Sequence, residues 1–368
     1  MRRTVVLAVA TAALVAFGIG LALRPVTHRT TPQADVAQVR AELASLYYRN
    51  LPQQVLRKPT VAGLLGALHD RYTAYLSPSE YRLARRAYAG GYGGVGLFVL
   101  PAPGGLLVRR TTVGPARVAG VRPGDTIMAV DGSSTAALSF HEAMGRILGQ
   151  PGSKVTLRIL RDGRPMQFEL VRRTFALHPV HARLEHGVGV LRLDAFSRGT
   201  AAASAAALRR LTQQGAKALV LDLRGNPGGL LDQAVGVVSL FLPTGSSVVS
   251  LSGAHKPLRI LYSRTRGGAA SAIPLAVLVD GASASASEVV AGALKDHGRA
   301  SVIGEATYGK SLVQEIVQLP SGAALKLTVA RYLTPAGVDI SRNGVQPDIR
   351  SRHALDAALR LFTAGRRS

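Results

Sequence analysis

The sequence predicts a multidomain α/β protein: an N-terminal membrane anchor, a small helical region, a β-rich unit with helices, and a larger domain of alternating strands and helices. Three observations lead there. Hydrophobic residues make up 47% of the 368 residues and charged ones only 18%, enough apolar material for more than one core. A glycine cluster over residues 90–96 separates helical from strand-like periodicity. From His178 onward, apolar strand-like runs alternate with helical ones, the pattern of an α/β layer fold.

Composition removes several function classes. There is no cysteine, which excludes disulfides, thiolate zinc sites and cysteine nucleophiles. The formal charge of +24, from 45 basic against 21 acidic residues, ordinarily raises nucleic-acid binding. Only seven of the basic residues are lysines, however, and the arginines are scattered without a long run. With aromatic residues at 5%, neither a basic arm nor a stacking platform is present, and nucleic acid is set aside. Anionic lipid or acidic protein suits such a field at least as well.

Met1-Arg2-Arg3 precedes Val5 to Leu23, nineteen residues whose only polar side chain is Thr11. A helix of that length spans about 28 Å, close to a hydrocarbon core of about 30 Å. Signal-peptide cores are shorter, about 7–15 residues, and no small-x-small cleavage site follows Leu23. Residues 1–24 are therefore expected to be a signal anchor; cleavage there would give a secreted form. Arginines flank it on both sides, so charge does not set the orientation.

Residues 25–90 read as a linker and a helical scaffold without chemistry of its own. Asp35–Tyr48, Val61–His69 and Ser79–Tyr88 carry helical spacing, and Ser77-Pro78-Ser79-Glu80 supplies a cap with proline in the first turn.

Residues 91–174 follow as the β-rich unit. Strand-like stretches lie at 97–100, 106–108, 126–130, 155–160 and 166–171, with one helix at 139–148 and turns at Pro123-Gly124-Asp125, Asp131-Gly132 and Asp162-Gly163. Gly91-x-Gly93-x-x-Gly96 matches a dinucleotide fingerprint, but it precedes a strand instead of following one, so that reading is rejected. Gly94-Val95-Gly96-Leu97 instead allows successive backbone N–H groups to face one carboxylate, with the next strand free to pair with an extended peptide. Gly114 to Gly132, GPARVAGVRPGDTIMAVDG, adds a turn, a short helix, a PGD turn and an I-x-x-V-D-G strand. With that segment the unit resembles a PDZ domain. The resemblance implies capture of a free protein C-terminus by the backbone of Val95, Gly96 and Leu97.

Residues 175–368 hold the segments with chemistry. Val279 to Glu288 is a strand end leading into a helix. Gly281-Ala282-Ser283-Ala284 starts like a G-x-S-x-G elbow, but Ser285 stands where the last glycine belongs, and the match fails. A serine at a strand-to-helix turn still sits where helix N–H groups favour a developing oxyanion. The same serines with Glu288 also read as an ordinary helix cap, and on this segment alone both readings stand. Lys310 lies 25 residues after Ser285, among small residues and ahead of an apolar strand. A lysine acts as a base only when neutral, and its ordinary pKa is about 10.4. Burial can lower that to about 7, a change worth roughly 4–5 kcal/mol. A serine with such a lysine is one form of activated nucleophile.

"SASASE" at 283–288, "KDHGRA" at 295–300, "GEATYGKSLVQ" at 304–314, "LTVARYLTPAGVDI" at 327–340 and "GVQPDI" at 344–349 complete the pattern. Together these segments resemble the C-terminal processing peptidases, or tail-specific proteases, from about Asp35 to Ala358. The resemblance implies a crotonase-like α/β spiral for residues 175–368. It implies Ser285 as nucleophile, Lys310 as general base and Gln314 as the group that positions the lysine. Leu221 to Gly229 is similar to the family's D-L-R-x-N-P-G-G, implying an oxyanion hole from the backbone N–H groups of Gly229 and Ala286. Tyr308 and Ser311 depart from the phenylalanine and glycine usual around the lysine.

Two rival constellations are weaker. Asp296 and His297 are adjacent, so they cannot line up with Ser285 as orienter and base. His178, His181 and His186, with Glu185, could hold a metal only with convergent geometry, and they read as an exposed connector. The expectation is thus a membrane-anchored serine endopeptidase with an extracytoplasmic catalytic body, periplasmic or in the cell envelope. Its substrates are proteins or peptides with free, apolar C-termini, and it needs no metal or other cofactor. A regulatory partner and a homo-oligomer are left open. The alternative from another class is a non-catalytic, membrane-tethered PDZ adaptor.

Overall fold

A computed structural model describes residues 32–363 apart from 89–90, 139, 177–178, 265–271 and 342. The expected anchor, Val5 to Leu23, lies outside the described residues. Among the described residues no helix is long and apolar enough to cross a membrane.

The described residues begin with α1 (Pro32–Leu46), α2 (Gln53–Leu56) and α3 (Val61–Gly66). Val39 and Leu43, one helical turn apart on α1, are fully buried, as that spacing requires. Thr60 caps α3, its Oγ1 accepting the Gly63 N–H at 3.0 Å. A short strand β1 (Ala74–Leu76) and a proline-started helix α4 (Pro78–Tyr88) follow.

Ser79–His178 forms one compact unit. Its elements are β2 (Gly91–Gly94), β3 (Leu97–Ala102), β4 (Gly105–Thr111), α5 (Pro115–Val118), β5 (Thr126–Val130), β6 (Ser133–Ser134), α6 (Phe140–Ile147), β7 (Lys154–Arg161), β8 (Arg164–Val171) and β9 (Arg173–Ala176). An antiparallel sheet runs β3-β4-β5-β7-β8, which leaves β3 at an edge. Val99, Val108, Ile127, Leu157 and Ile159 form its core with Ala143 and Ile147 of α6. The PGD turn is fixed by its aspartate: buried Asp125 accepts the Arg122 N–H at 2.8 Å and a two-pronged bond from Arg161 at 2.7 and 2.8 Å. The glycine run differs from expectation, because Gly91–Gly94 itself pairs with β9. Only glycine fits at position 93, where a Cβ would stand 2.1 Å from the Gly149 carbonyl oxygen.

The second unit contains the N-terminal helices, β1 and everything from Pro179. After β10 (Val180–Glu185) come β11 (Val188–Leu193), α7 (Thr200–Gln213), β12 (Ala218–Asp222), α8 (Leu231–Val238), β13 (Ser247–Gly253), β14 (Lys256–Tyr262), β15 (Leu275–Val279), α9 (Ala286–Asp296), β16 (Ser301–Gly304), β17 (Leu312–Gln318), β18 (Ala324–Leu333), β19 (Ile349–Arg350) and α10 (Ala354–Thr363). A six-stranded sheet has the order β10-β11-β12-β15-β16-β19, parallel except for β10. Its inner strands are buried on both faces, which is why β12 and β15 read as unbroken apolar runs. Leu219, Leu221, Val277 and Val279 face the larger core with α7, α8 and α9, while Val220, Ala276 and Leu278 pack with α10. A second, antiparallel sheet runs β1-β18-β13-β14, with β17 along β18. Of the stretch expected as a histidine-bearing connector, His178 lies outside the described residues, His186 is in a turn, and His181 sits in the edge strand β10. Its exposed polar side chains suit an edge position, and His181 Nε2 lies 2.8 Å from Asp194 Oδ2.

Candidate active site

The site grows from two neighbouring strand ends. β12 and β15 are parallel and in register, Asp222 opposite Leu278, so the loops after them leave the same edge of the sheet. Ligand sites in parallel sheets gather at such carboxyl ends. Asp280 fastens the two loops together: its Oδ1 accepts N–H groups of Gly225 at 2.9 Å and of Ala282 and Ser283 at 3.0 Å.

The three serines of the turn then separate by environment. Ser283 Oγ donates to the Leu223 carbonyl at 2.9 Å and Ser287 Oγ to the Asn226 carbonyl at 2.8 Å. Both are wholly buried anchors. The Ser285 hydroxyl donates to no carbonyl among the described residues. Ser285 instead lines a small pocket with Gly229, Leu231, Ala286, Val289, Leu312, Val313 and Tyr332.

Ser285 is also the N-cap of α9, with φ 54° and ψ −113°. A non-glycine residue in such a region carries about 1–3 kcal/mol of strain and must be held there. Glu288 Oε2 accepts the Ser285 N–H at 2.7 Å, and the Tyr332 hydroxyl donates to the Ser285 carbonyl at 3.0 Å. From the other side Gly228, at φ 101°, approaches so closely that a Cβ would lie 2.7 Å from the Ala284 oxygen and 2.9 Å from the Ala286 nitrogen. The Gly229 and Ala286 N–H groups have no acceptor among the described residues. Two unclaimed donors therefore flank Ser285 at a helix N-terminus.

Glu288 reaches further than the turn. Fully buried, it also accepts the Lys310 N–H at 2.9 Å through Oε2, and the Thr307 hydroxyl at 2.5 Å and Gly309 N–H at 2.7 Å through Oε1. Burial pushes its carboxyl above the usual range, while these bonds pull it back. The Tyr332 hydroxyl also contacts the Lys310 carbonyl. Lys310 itself is 7% exposed, and burial, followed by the like charge of Lys326, pushes it down to about 7 against the opposing pull of Glu288 and Asp70. Its Nζ lies 5.2 Å from the centre of the Tyr72 ring. Among the described residues no hydrogen bond joins Lys310 Nζ to Ser285 Oγ. The Gln314 amide is fully buried, with neither polar atom partnered.

The Asp296–His297 pair is not brought to Ser285. It ends α9, about 16 Å along the helix. Asp296 accepts the Ala336 N–H at 2.8 Å, and His297 Nε2 lies 2.7 Å from the Ser247 carbonyl. In the β-rich unit, Gly96 has φ 81°, and the carbonyls of Val95 and Gly96 accept from Ala116 and Thr112, both at 2.9 Å. The N–H groups of Val95 and Gly96 have no acceptor among the described residues.

The model of peptidase family S41 matches residues 187–351, and a PDZ-domain model matches residues 111–161. The carboxyl-terminal-processing protease of Synechocystis sp. is 39% identical over 297 residues, covering 77% of this chain and 68% of that protein. This chain belongs to the carboxyl-terminal-processing protease family. It is a multidomain serine protease carrying a PDZ domain. The carboxyl-terminal-processing protease of Picosynechococcus sp. is 37% identical over 306 residues, covering 78% of this chain and 71% of that one. Among solved structures, the photosystem II D1 C-terminal processing protease superposes with a TM-score of 0.59 at 32% identity, over 88% of this chain and 93% of that one.

Two residues of the candidate site are not evident from the sequence alone. The S-x-x-E spacing of 285–288 is a capping-box signal that marks Glu288 as a cap residue and does not show its reach to the lysine loop. Tyr332 lies in the segment LTVARYLTPAGVDI, and nothing local shows that a strand tyrosine will meet two loops.

Proposed function

We propose that this protease grips the free C-terminus of a protein in its PDZ groove and cleaves an upstream peptide bond through a Ser285 acyl-enzyme. The observation that carries the reading is the sorting of the three serines. Only the Ser285 hydroxyl is left undonated to a carbonyl, beside two free N–H groups, and its backbone shares Glu288 Oε2 with that of buried Lys310.

Neutral Lys310 takes the Ser285 proton as Oγ attacks the scissile carbonyl. The Gly229 and Ala286 N–H groups receive the oxyanion. The lysine ammonium then passes its proton to the leaving amine, and water, deprotonated by Lys310, hydrolyses the ester. Catalytic hydrogen bonds commonly tighten only around bound substrate, so a missing Ser–Lys bond in the free protein fits this course. An unpaired buried amide costs about 1–3 kcal/mol, and Gln314 is then explained as an acceptor for Lys310 Nζ in the working state.

The edge position of β3 and the free N–H groups of Val95 and Gly96 support addition of the substrate's tail as a further strand, its carboxylate on that loop. The apolar stretch Val5 to Leu23 would tether the body to a membrane with the catalytic domain extracytoplasmic; a reporter fused after Ser368 that scored as cytosolic and soluble would refute that part.

The test is cleavage of paired substrates with free and amidated C-termini, read by mass spectrometry. Amidation removes charge-assisted bonds worth roughly 1.5–3 kcal/mol, so cleavage should fall about tenfold to a hundredfold. Indifference to amidation would contradict C-terminal recognition.

A further inference from the structure

Asp70–Thr73 lies in the stretch expected to be scaffold alone and outside residues 187–351, which match the peptidase model. It is nevertheless fastened to the strand that backs the base. The Thr73 hydroxyl donates to Asp70 Oδ2 at 2.7 Å, accepts the Thr328 N–H of β18 at 3.1 Å and stands 3.1 Å from the Thr328 hydroxyl. Thr328 is the register partner of Gln314 across the β17–β18 ladder. Asp70 Oδ1 accepts the Tyr72 N–H at 2.9 Å, and the Tyr47 hydroxyl reaches Oδ2 at 3.3 Å. The backbone of residue 72 is thus fixed on both sides. Arg71 donates to the Tyr72 hydroxyl at 2.6 Å, and the ring is left with its centre 5.2 Å from Lys310 Nζ.

We propose that Tyr72, held by Asp70 and Thr73, is a positioning residue for Lys310: its ring face holds Nζ and keeps water from it. The inference rests on the reading of Lys310 as general base. An aromatic face within about 6 Å attracts an ammonium without offering a lone pair for its proton. That attraction favours the charged form, but far less than a carboxylate would, and the water that the ring excludes favours the neutral form more strongly. The charged groups facing Lys310 oppose one another: Lys326 of β18 and Arg71 on one side of the balance, Glu288 of α9 and Asp70 on the other. Tyr308 and Tyr332 are further titratable groups here, the first beside Tyr72 and the second beside Glu288 and Tyr72. Exclusion of water is then the lever on the lysine, and Tyr72 supplies part of it from a half-buried position where replacement is tolerable.

The experiment is an NMR titration of the Lys310 side chain in the full chain, beside pH–rate profiles, for wild type, Tyr72→Phe, Tyr72→Ala and Thr73→Val. The wild-type midpoint is expected at about 7. Tyr72→Phe keeps the ring and should keep that midpoint. Tyr72→Ala admits water and should move it above about 8, lowering kcat/KM at pH 7 about fivefold with recovery at higher pH. Thr73→Val, which loosens the segment without touching the ring, should move it the same way. A Tyr72→Ala midpoint that stays near 7 while Lys310→Ala is inactive would overturn this inference alone. Hydrolysis surviving in Lys310→Ala would overturn the base assignment, and the inference with it.

Discussion

The backbone nitrogens of Ser285 and Lys310, 25 residues apart in sequence, converge on one carboxylate oxygen, Glu288 Oε2, at 2.7 and 2.9 Å. The Ser285 turn and the lysine loop are thereby placed by one buried group, and Tyr332 repeats the link through the two residues' carbonyls.

Glu288→Ala should accordingly remove both stability and activity. It strands the N–H groups of Ser285, Gly309 and Lys310 and the Thr307 hydroxyl, each at about 1–3 kcal/mol, so a loss of at least about 3 kcal/mol is expected. Glu288→Gln turns an amide NH2 toward two of these donors and should fall between the two. Urea denaturation with a peptidase assay checks this; a Glu288→Ala protein of near wild-type stability would contradict it.

Lys310→Met should abolish hydrolysis yet stabilise the fold near neutrality. The folded protein holds Lys310 down at about 7, against 10.5 when free. Between those values the unfolded chain binds more protons, so the wild-type stability rises with pH across that window. The burden is worth up to about 4 kcal/mol at pH 7 and about 1 at pH 10. The advantage of methionine should therefore shrink as pH rises. A pH-independent difference in denaturation midpoint would count against a neutralised lysine. Wild-type activity should climb through about pH 7 as the base loses its proton.

Much of this was readable in advance because it is local. The PGD turn, the apolar runs of β12 and β15 and the strand-to-helix turn at 279–288 each declare themselves within a few residues. Convergence is not local. Nothing near Tyr72 in sequence announces that it will face Lys310, since the contact depends on Thr73 meeting Thr328, 255 residues away. The pairing of Gly91–Gly94 with β9 was hidden for a related reason: glycine has low strand propensity, and only the approach of Gly149 explains it.

Ser285→Ala and Ser285→Gly should both be inactive but differ in stability. Alanine keeps the strain at φ 54°, whereas glycine is at ease there. After its greater unfolded-state entropy is allowed for, the glycine variant should be more stable by about 1 kcal/mol. Equal denaturation midpoints would mean that the turn is not strained.

Gly228→Ala should damage chemistry more than tail binding. Its Cβ would press on the Ala284 oxygen and the Ala286 nitrogen, displacing an oxyanion donor. Loss of one such donor lowers kcat by roughly 10²–10³-fold. Calorimetric binding of a peptide with a free C-terminus should be unchanged; an unimpaired kcat would remove Ala286 from the proposed oxyanion hole.

The assignment of Ser285 as nucleophile and Lys310 as its base is tested most directly by mapping the covalent adduct. A fluorophosphonate probe is incubated with wild type and with Lys310→Ala, and the peptides are read by mass spectrometry. The expected result is a single adduct on Ser285 in wild type and none in Lys310→Ala. Labelling of Ser283 or Ser287, or Ser285 labelling that survives loss of the lysine, would contradict it.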